Sequence, residues 1–312
     1  MIQTIGIAGS GTMATSMALI FAEKGYNVHV IYHREETAIK SKKSIQDSLN
    51  QTYLNNDIIK KVIMDKINYS SSFKMFAPCD LIVESIKEDL DVKREYWKRV
   101  CEFAKEDAIL ATNTSGLSIT DISKAVRYPQ RFVGMHWFNP PHIIPLIEVI
   151  KGEATSDDTA KAVYDVALKI GKKPINVSKD AKGFIANRIQ LAVLREALHI
   201  VENGIGTYKD VDDAMKYGLG FRYSCLGPFE VSDLGGLDVF HSVGEYLYED
   251  LADDKKPQKS FDDLIDSKKL GVKTQEGFYD YHEGRDQKAI RDRDKKFILM
   301  KKFQEEAEKA TK

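Results

Sequence analysis

Thr4-Ile-Gly-Ile-Ala-Gly9-Ser-Gly11-Thr-Met-Ala14 opens on a short β-rich apolar run, turns on two glycines and continues into a segment with helical apolar spacing. This is the G-x-G-x-x-G/A pattern in the strand, turn and helix setting that gives it meaning. Gly9 permits a tight turn, Gly11 lets a pyrophosphate approach the backbone, and Ala14 is small enough for close packing of helix on strand. Thr12 and Met13 open the helix, whose free N–H groups and dipole favour a phosphate. Gly9, Gly11, Thr12 and Met13 therefore predict a dinucleotide site.

Outward from this stretch the alternation continues. Residues 27–32 read as a second strand after a helix over 12–24. Further strands are expected at 80–86, 108–112, 131–137, 146–150 and 174–177, with helices at 88–104, 119–126 and 156–170. Strands joined by helical crossovers make an α/β fold with a doubly wound, Rossmann-type sheet. Beyond Lys179 the pattern changes, because Phe184, Leu191, Leu194, Leu198 and Val201 fall on one stripe of a long helix, with Gly204 and Gly206 as stops. No strand pattern of length follows, so a mostly α-helical C-terminal domain is expected. The expected organisation is a dinucleotide-binding domain over 1–180, a helical domain over 181–282, and a charge-dense tail over 283–312 that is either a terminal helix or disordered.

Composition narrows the function class. Lys and Arg number 46 against 47 Asp and Glu, so no whole-chain field draws the protein to nucleic acid or to an anionic membrane. No apolar run approaches the roughly 18 residues that span a bilayer, and the start lacks the basic and apolar regions of a secretory signal. A soluble, cytoplasmic protein with a small-molecule substrate is expected. Cys79, Cys101 and Cys225 are few, widely spaced and odd in number, which suits reduced thiols rather than disulfides or a metal site.

The end of the second strand bears on the cofactor. An acidic residue there would accept hydrogen bonds from the adenosine ribose of NAD. The chain instead reads Tyr32-His33-Arg34, followed by Glu35 and Glu36. Arg34, helped by His33, could pair with a 2′-phosphate, and Glu35 or Glu36 could fill the acidic role after a small register shift. These charges favour NADP and leave NAD open.

His136 ends a predicted strand in Met135-His-Trp-Phe-Asn-Pro-Pro141, at the edge of the sheet where ligands of such folds bind. Twelve residues on, Glu148 interrupts the apolar run Pro145-Leu-Ile-Glu-Val-Ile150. A buried, unpaired carboxylate is costly. If the two touch, each explains the other: the carboxylate fixes the imidazole tautomer and raises its basicity, and the second ring nitrogen is left to move a hydroxyl proton.

With these residues in hand, the chain resembles the short-chain L-3-hydroxyacyl-CoA dehydrogenase family, which includes 3-hydroxybutyryl-CoA dehydrogenases, from residue 1 to about 282. The resemblance rests on the Gly9 turn, Val83-Glu-Ser-Ile86 with Glu88 and Lys93, Asn113-Thr-Ser115, His136-Trp-Phe-Asn-Pro140, Glu148, Lys179-Asp-Ala-Lys-Gly-Phe184 with Asn187-Arg188, Gly227-Pro-Phe229 with Asp233, Gly236-Leu-Asp238, and Gly277-Phe-Tyr-Asp-Tyr281. It implies hydride transfer between NAD or NADP and C3 of an L-3-hydroxyacyl thioester, and a homodimer held by the helical domain. His136 would be the acid/base and Glu148 its partner. Ser115 and Asn187 would hold the substrate oxygen, and Glu88, Lys93 and Asn113 would line the nicotinamide side. Asn187 falls on the apolar stripe of its helix, which suits a committed amide, and Ser115 follows a strand, where a helix cap is the alternative. Charges such as Glu88 and Lys93 on an amphipathic helix are ordinarily a solvated face.

Two departures bear on the substrate. Residues 44–59 contain no Lys or Arg, although relatives that use CoA place a basic residue there, so CoA phosphates would have to meet Lys42, Lys43 or Lys60. Asn139-Pro-Pro-His142 with Pro145, and Gly218-Leu-Gly-Phe-Arg222-Tyr223, resemble the branch containing L-gulonate 3-dehydrogenase and its lens crystallin relatives. Arg222 could there bind a free carboxylate bidentately. A dehydrogenase of a CoA-free 3-hydroxy acid and a catalytically silent structural protein are the alternatives.

Overall fold

Strands covered on both faces must be apolar at nearly every position, and the runs TIGIA, LIVE, ILAT and FVGMHW meet that demand. In the computed structural model, which describes residues 2–311, they form the middle of one eight-stranded sheet. The strands are β1 (Thr4–Ala8), β2 (Asn27–Ile31), β3 (Ile67–Ser70), β4 (Leu81–Glu84), β5 (Ile109–Thr112), β6 (Phe132–Trp137), β7 (Leu146–Ile150) and β8 (Lys173–Val177). Their order is β3-β2-β1-β4-β5-β6-β7-β8, parallel throughout except where β6 meets β7. The crossovers include α1 (Thr12–Glu23), α2 (Glu35–Thr52), α3 (Asp57–Met64), α4 (Leu90–Phe103), α5 (Ile119–Ser123) and α6 (Asp157–Lys169). Alternate strand residues feed two cores: Ile5, Ile7, Leu81 and Val83 join one cluster, while Ala8, Ile82 and Leu110 join Trp97 and Phe132 in the other. Each fully buried aliphatic side chain contributes on the order of 2 kcal/mol.

The α/β class and the helical second half are as the pattern predicts, with three local differences. The strand β3 and the helices α2 and α3 have no counterpart in the periodicity, because INYS is short and half polar. Glu88 stands in the loop before α4, whose N-cap is Asp89 accepting from the backbone N–H groups of Asp91 and Val92, and is not on the helix. Phe184 precedes its helix, with φ 53° and 2% exposure, and so does not belong to that helix's stripe.

The chain divides into two compact units between Arg188 and Ile189. The boundary falls inside α7 (Ala186–Glu202). The second unit continues with α8 (Tyr208–Ala214), a π-helical turn over Met215–Leu219, α9 (Gly220–Tyr223), α10 (Pro228–Gly235), α11 (Leu237–Leu247), α12 (Lys259–Asp266) and α13 (Arg285–Ala310). Residues 285–310 of the charged tail are thus a helix, and none of them is buried. Among the described residues no helix is long and apolar enough to cross a membrane.

Candidate active site

The parallel strands end together: Ala8 pairs with Ile31 and with Glu84, and Glu84 with Thr112. With β1 flanked by β2 on one side and β4 on the other, the chain reverses direction of winding at this edge, where open sheets form their ligand crevice. Gly9 turns at φ +114°, and a Cβ there would lie 2.5 Å from the carbonyl oxygen of Ser85, so only glycine fits. A Cβ on Gly11 would meet nothing within 4 Å, so the space above the turn is open. The first turn of α1 has no capping side chain and no acidic residue, which leaves its N–H groups to an anion. Met13 packs partly against the core beneath, and Ser10 and Thr37 hydroxyls hydrogen-bond at 2.6 Å, tying the turn to α2. The turn fits a dinucleotide phosphate.

Tyr32 follows β2 directly, half-buried, with its N–H donating to Ser70. His33, Arg34, Glu35 and Glu36 are exposed. Arg34 is the N-cap residue of α2, and its guanidinium makes no hydrogen bond or ion pair with another described residue. Glu35 and Glu36 occupy the first helical turn beside it.

His136 and Glu148 are direct cross-strand partners in the antiparallel β6–β7 pair. Residues 138–145 are too few for a helical crossover, which needs roughly a dozen residues, so the chain returns as a hairpin and its register joins the two. His136 Nδ1 lies 2.8 Å from Glu148 Oε2, and both side chains are buried. The other oxygen of Glu148 accepts the backbone N–H groups of Ile185 (3.0 Å) and Ala186 (2.9 Å). Burial pushes the Glu148 carboxyl up, but the hydrogen bonds from His136, Ala186 and Ile185 outweigh it and hold the group below its ordinary value. An ionised Glu148 accepts from Nδ1–H and leaves Nε2 with its lone pair. The rings of Phe138 and Phe184 stand 4.5 and 5.7 Å from the imidazole and fix its plane.

Ser115 and Asn187 meet: the Asn187 side-chain amide donates to the Ser115 carbonyl at 2.7 Å. The Ser115 residue is exposed and its hydroxyl has no partner among the described residues. It caps no helix, because α5 is capped by Ser118. Glu88 accepts the Ser115 N–H at 2.8 Å and the Thr114 hydroxyl at 2.5 Å. Burial raises the Glu88 carboxyl, and the Thr114 hydrogen bond with the Lys93 charge more than reverses this, so it too lies below its ordinary value. Asn113 accepts the Trp137 N–H at 2.8 Å and so braces the strand that carries His136.

Lys93 is placed differently from the expectation that it lines the cofactor. Its side chain is wholly inaccessible, with Nζ 2.5 Å from Glu84 and 3.3 Å from Glu88. It therefore acts on the crevice only through Glu88. Glu84 is the residue that the pattern did not single out, although a carboxylate ending the run LIVE carries the same signal as Glu148 in LIEVI.

Residues 44–59 lie on α2, the following loop and the start of α3. Of the neighbouring cations, Lys42 lies over the Tyr69 ring at 5.0 Å and Lys60 pairs with Asp57 at 2.9 Å, while Lys43 is exposed. Arg222 is exposed on α9, just after the π-helical turn, where a Cβ on Gly220 would come 2.6 Å from the Met215 carbonyl. Its guanidinium has no partner among the described residues.

Comparison with known proteins places this geometry in a family. Residues 4–181 match the 3-hydroxyacyl-CoA dehydrogenase NAD binding domain, and residues 183–281 match the C-terminal domain of the same family. The chain is 33% identical over 310 residues to 5-formyl-3-hydroxy-2-methylpyridine 4-carboxylate 5-dehydrogenase of Mesorhizobium japonicum, covering 98% of this chain and 99% of the other. A crystal structure of a 5-dehydrogenase of that pyridine carboxylic acid, described as an NAD+ dependent dismutase, superposes with a TM-score of 0.89 at 29% identity over 98% of this chain and 99% of that one. The (S)-3-hydroxybutyryl-CoA dehydrogenase of Ralstonia eutropha superposes with a TM-score of 0.76 at 32% identity, over 91% of this chain and 100% of the other. A two-domain match in chain order, over a nucleotide turn and a buried His–Glu pair, makes this chain a member of the 3-hydroxyacyl-CoA dehydrogenase family, an NAD-binding oxidoreductase.

Proposed function

We propose that the chain transfers a hydride reversibly between a nicotinamide cofactor and C3 of an L-3-hydroxyacyl thioester such as 3-hydroxybutyryl-CoA. The observation that carries this reading is the 2.8 Å contact between buried His136 and Glu148 at the same sheet edge as the Gly9 turn. When bound, the nicotinamide supplies or accepts the hydride. His136 Nε2 takes the proton of the C3 hydroxyl in oxidation and returns it to the C3 carbonyl oxygen in reduction. Glu148 keeps the imidazole in the working tautomer and stabilises its charged form. The Ser115 hydroxyl and the free Oδ1 and N–H of Asn187 orient the substrate oxygen. Gly9, Gly11, Thr12 and Met13 hold the pyrophosphate, Tyr32 and His33 flank the adenosine, and Glu88 and Asn113 shape the nicotinamide side. The exposed Arg34 guanidinium would meet a 2′-phosphate, so NADP(H) is accepted along with NAD(H).

A second reading, a CoA-free 3-hydroxy acid, is favoured by one specific observation. The likeness to the pyridine carboxylate dehydrogenase covers 98% of the chain, whereas the C-terminal family match stops at residue 281. The absence of Lys and Arg from 44–59 points the same way, and Arg222 would then take the free carboxylate. One assay separates the two: acetoacetyl-CoA and a panel of free 3-keto and 3-hydroxy acids, each with NAD(H) and NADP(H). Turnover of the thioester is expected. No turnover of any acyl-CoA rejects the first reading, and turnover confined to NAD(H) rejects the role given to Arg34.

A further inference from the structure

Two glutamates are buried among the described residues, Glu148 and Glu84, and the chemistry above uses only the first. Glu84 is fully inaccessible at the end of β4, and its register partner on β5 is Thr112. Both oxygens are held: Oε1 accepts from Lys93 Nζ (2.5 Å) and from the Ile86 N–H (2.9 Å), and Oε2 accepts the Thr112 hydroxyl (2.7 Å). Lys93 then reaches Glu88 at 3.3 Å, and Glu88 holds the Ser115 N–H at 2.8 Å. A buried ion pair contributes little to stability compared with apolar residues of the same volume. What this pair contributes is a direction, since its third member stands at the crevice with its other oxygen on the Ser115 loop.

We propose that Glu84 is a positioning residue for the reaction: by sharing Lys93 with Glu88 it sets how far Glu88 can turn, and so fixes the loop that presents the Ser115 hydroxyl and the carbonyl that holds Asn187. The proposal rests on Ser115 and Asn187 meeting the substrate oxygen. With Glu84 neutral, the Lys93 ammonium has Glu88 as its only carboxylate. Glu88 swings toward it and releases the Ser115 N–H. The adenosine and pyrophosphate contacts lie on other strands and are unaffected.

The test is Glu84→Gln in the full chain, read in two independent ways. By hydrogen–deuterium exchange, amides of residues 113–118 are expected to exchange at least tenfold faster while those of β6 and β7 are unchanged. By kinetics, kcat falls at least tenfold, KM for the hydroxy substrate rises, and the NADH dissociation constant stays within about twofold. A loop with parental exchange overturns the link from Glu84 to Ser115. A loosened loop with parental kcat and KM overturns its importance for the reaction, and a uniform rise in exchange across the chain shows a merely structural role. If Glu84→Gln does not fold, Thr112→Val, which removes a single hydrogen bond to the carboxylate, must show the same local pattern at smaller size or the proposal fails. A parental enzyme inactive on every substrate would sink the reaction itself, and the exchange result would still decide the link.

Discussion

Exchanging the His136 imidazole for an amide of similar reach removes the imidazole base from the buried pair and leaves the nucleotide turn alone. His136→Gln is expected to lower turnover by at least ~100-fold, the scale of lost general acid/base catalysis, with little change in NADH affinity by titration. Near-parental turnover would overturn the assignment. Glu148 makes a second prediction through its titration. Its carboxyl is held below the ordinary 4.5. It therefore contributes stability that is fully present above 4.5 and is lost as pH falls through the lower, folded-state value. Urea unfolding followed from pH 6 downward should show this acid limb, and Glu148→Gln should flatten it. These two side chains were legible because an acid inside an apolar strand demands a partner. Glu84 sends the same signal in LIVE but went unread, since its partner Lys93 lies on a helix whose charges resemble a solvated face. Burial of a lysine is a tertiary fact that helical spacing does not encode.

At the level of elements, the hairpin explains why a histidine and a glutamate twelve positions apart become neighbours: pairing of Gly134 with Ile150 and of Trp137 with Ile147 leaves no other register for the residues between. A one-residue slip would turn Glu148 to the opposite face. The glycine turn makes the sharper prediction. Gly9→Ala forces a Cβ against the Ser85 carbonyl at 2.5 Å in a backbone region costly for alanine. A loss on the order of 1–3 kcal/mol is expected from backbone strain, before the clash is counted. Thermal unfolding should shift down and NADH titration should weaken together, and a variant with parental values in both would contradict the close approach of β1 to β4. Strands β1 and β7 match the expected spans, Thr4–Ala8 and Leu146–Ile150, to the residue, because both are short, mostly apolar runs with a sharp stop at one end or both, Gly9 after β1 and Pro145 and Lys151 around β7. The short β3 was illegible for the opposite reason, since its place at the sheet edge comes from pairing with β2 and not from its own side chains.

Considered whole, the chain distributes its apolar surface unevenly. The second unit buries only Leu198, Val231 and Ala252 among its described hydrophobic residues, while Phe221, Phe229, Leu234, Tyr246 and Tyr248 stand exposed. A second copy would cover apolar surface of this kind, and the proposed homodimer, twice 35.3 kDa, is the expected outcome of light scattering. A monomer at micromolar concentration would count against it. Helicity of the second half was readable from its stripes, but which stripe faces a core and which a second copy was not, because both require the same residues. The substrate was legible only to the level of a 3-hydroxy carbonyl compound, since the residues proposed to discriminate, Arg222 and the stretch 44–59 with no Lys or Arg, are ordinary surface positions by composition. The hairpin that carries the His–Glu pair has a further consequence. The hydrogen bonds of His136 and Glu148 are complete within β6, β7 and the chain that enters α7 at Ile185 and Ala186, all of it in the first unit. A change confined to the second unit therefore leaves each of these hydrogen bonds in place.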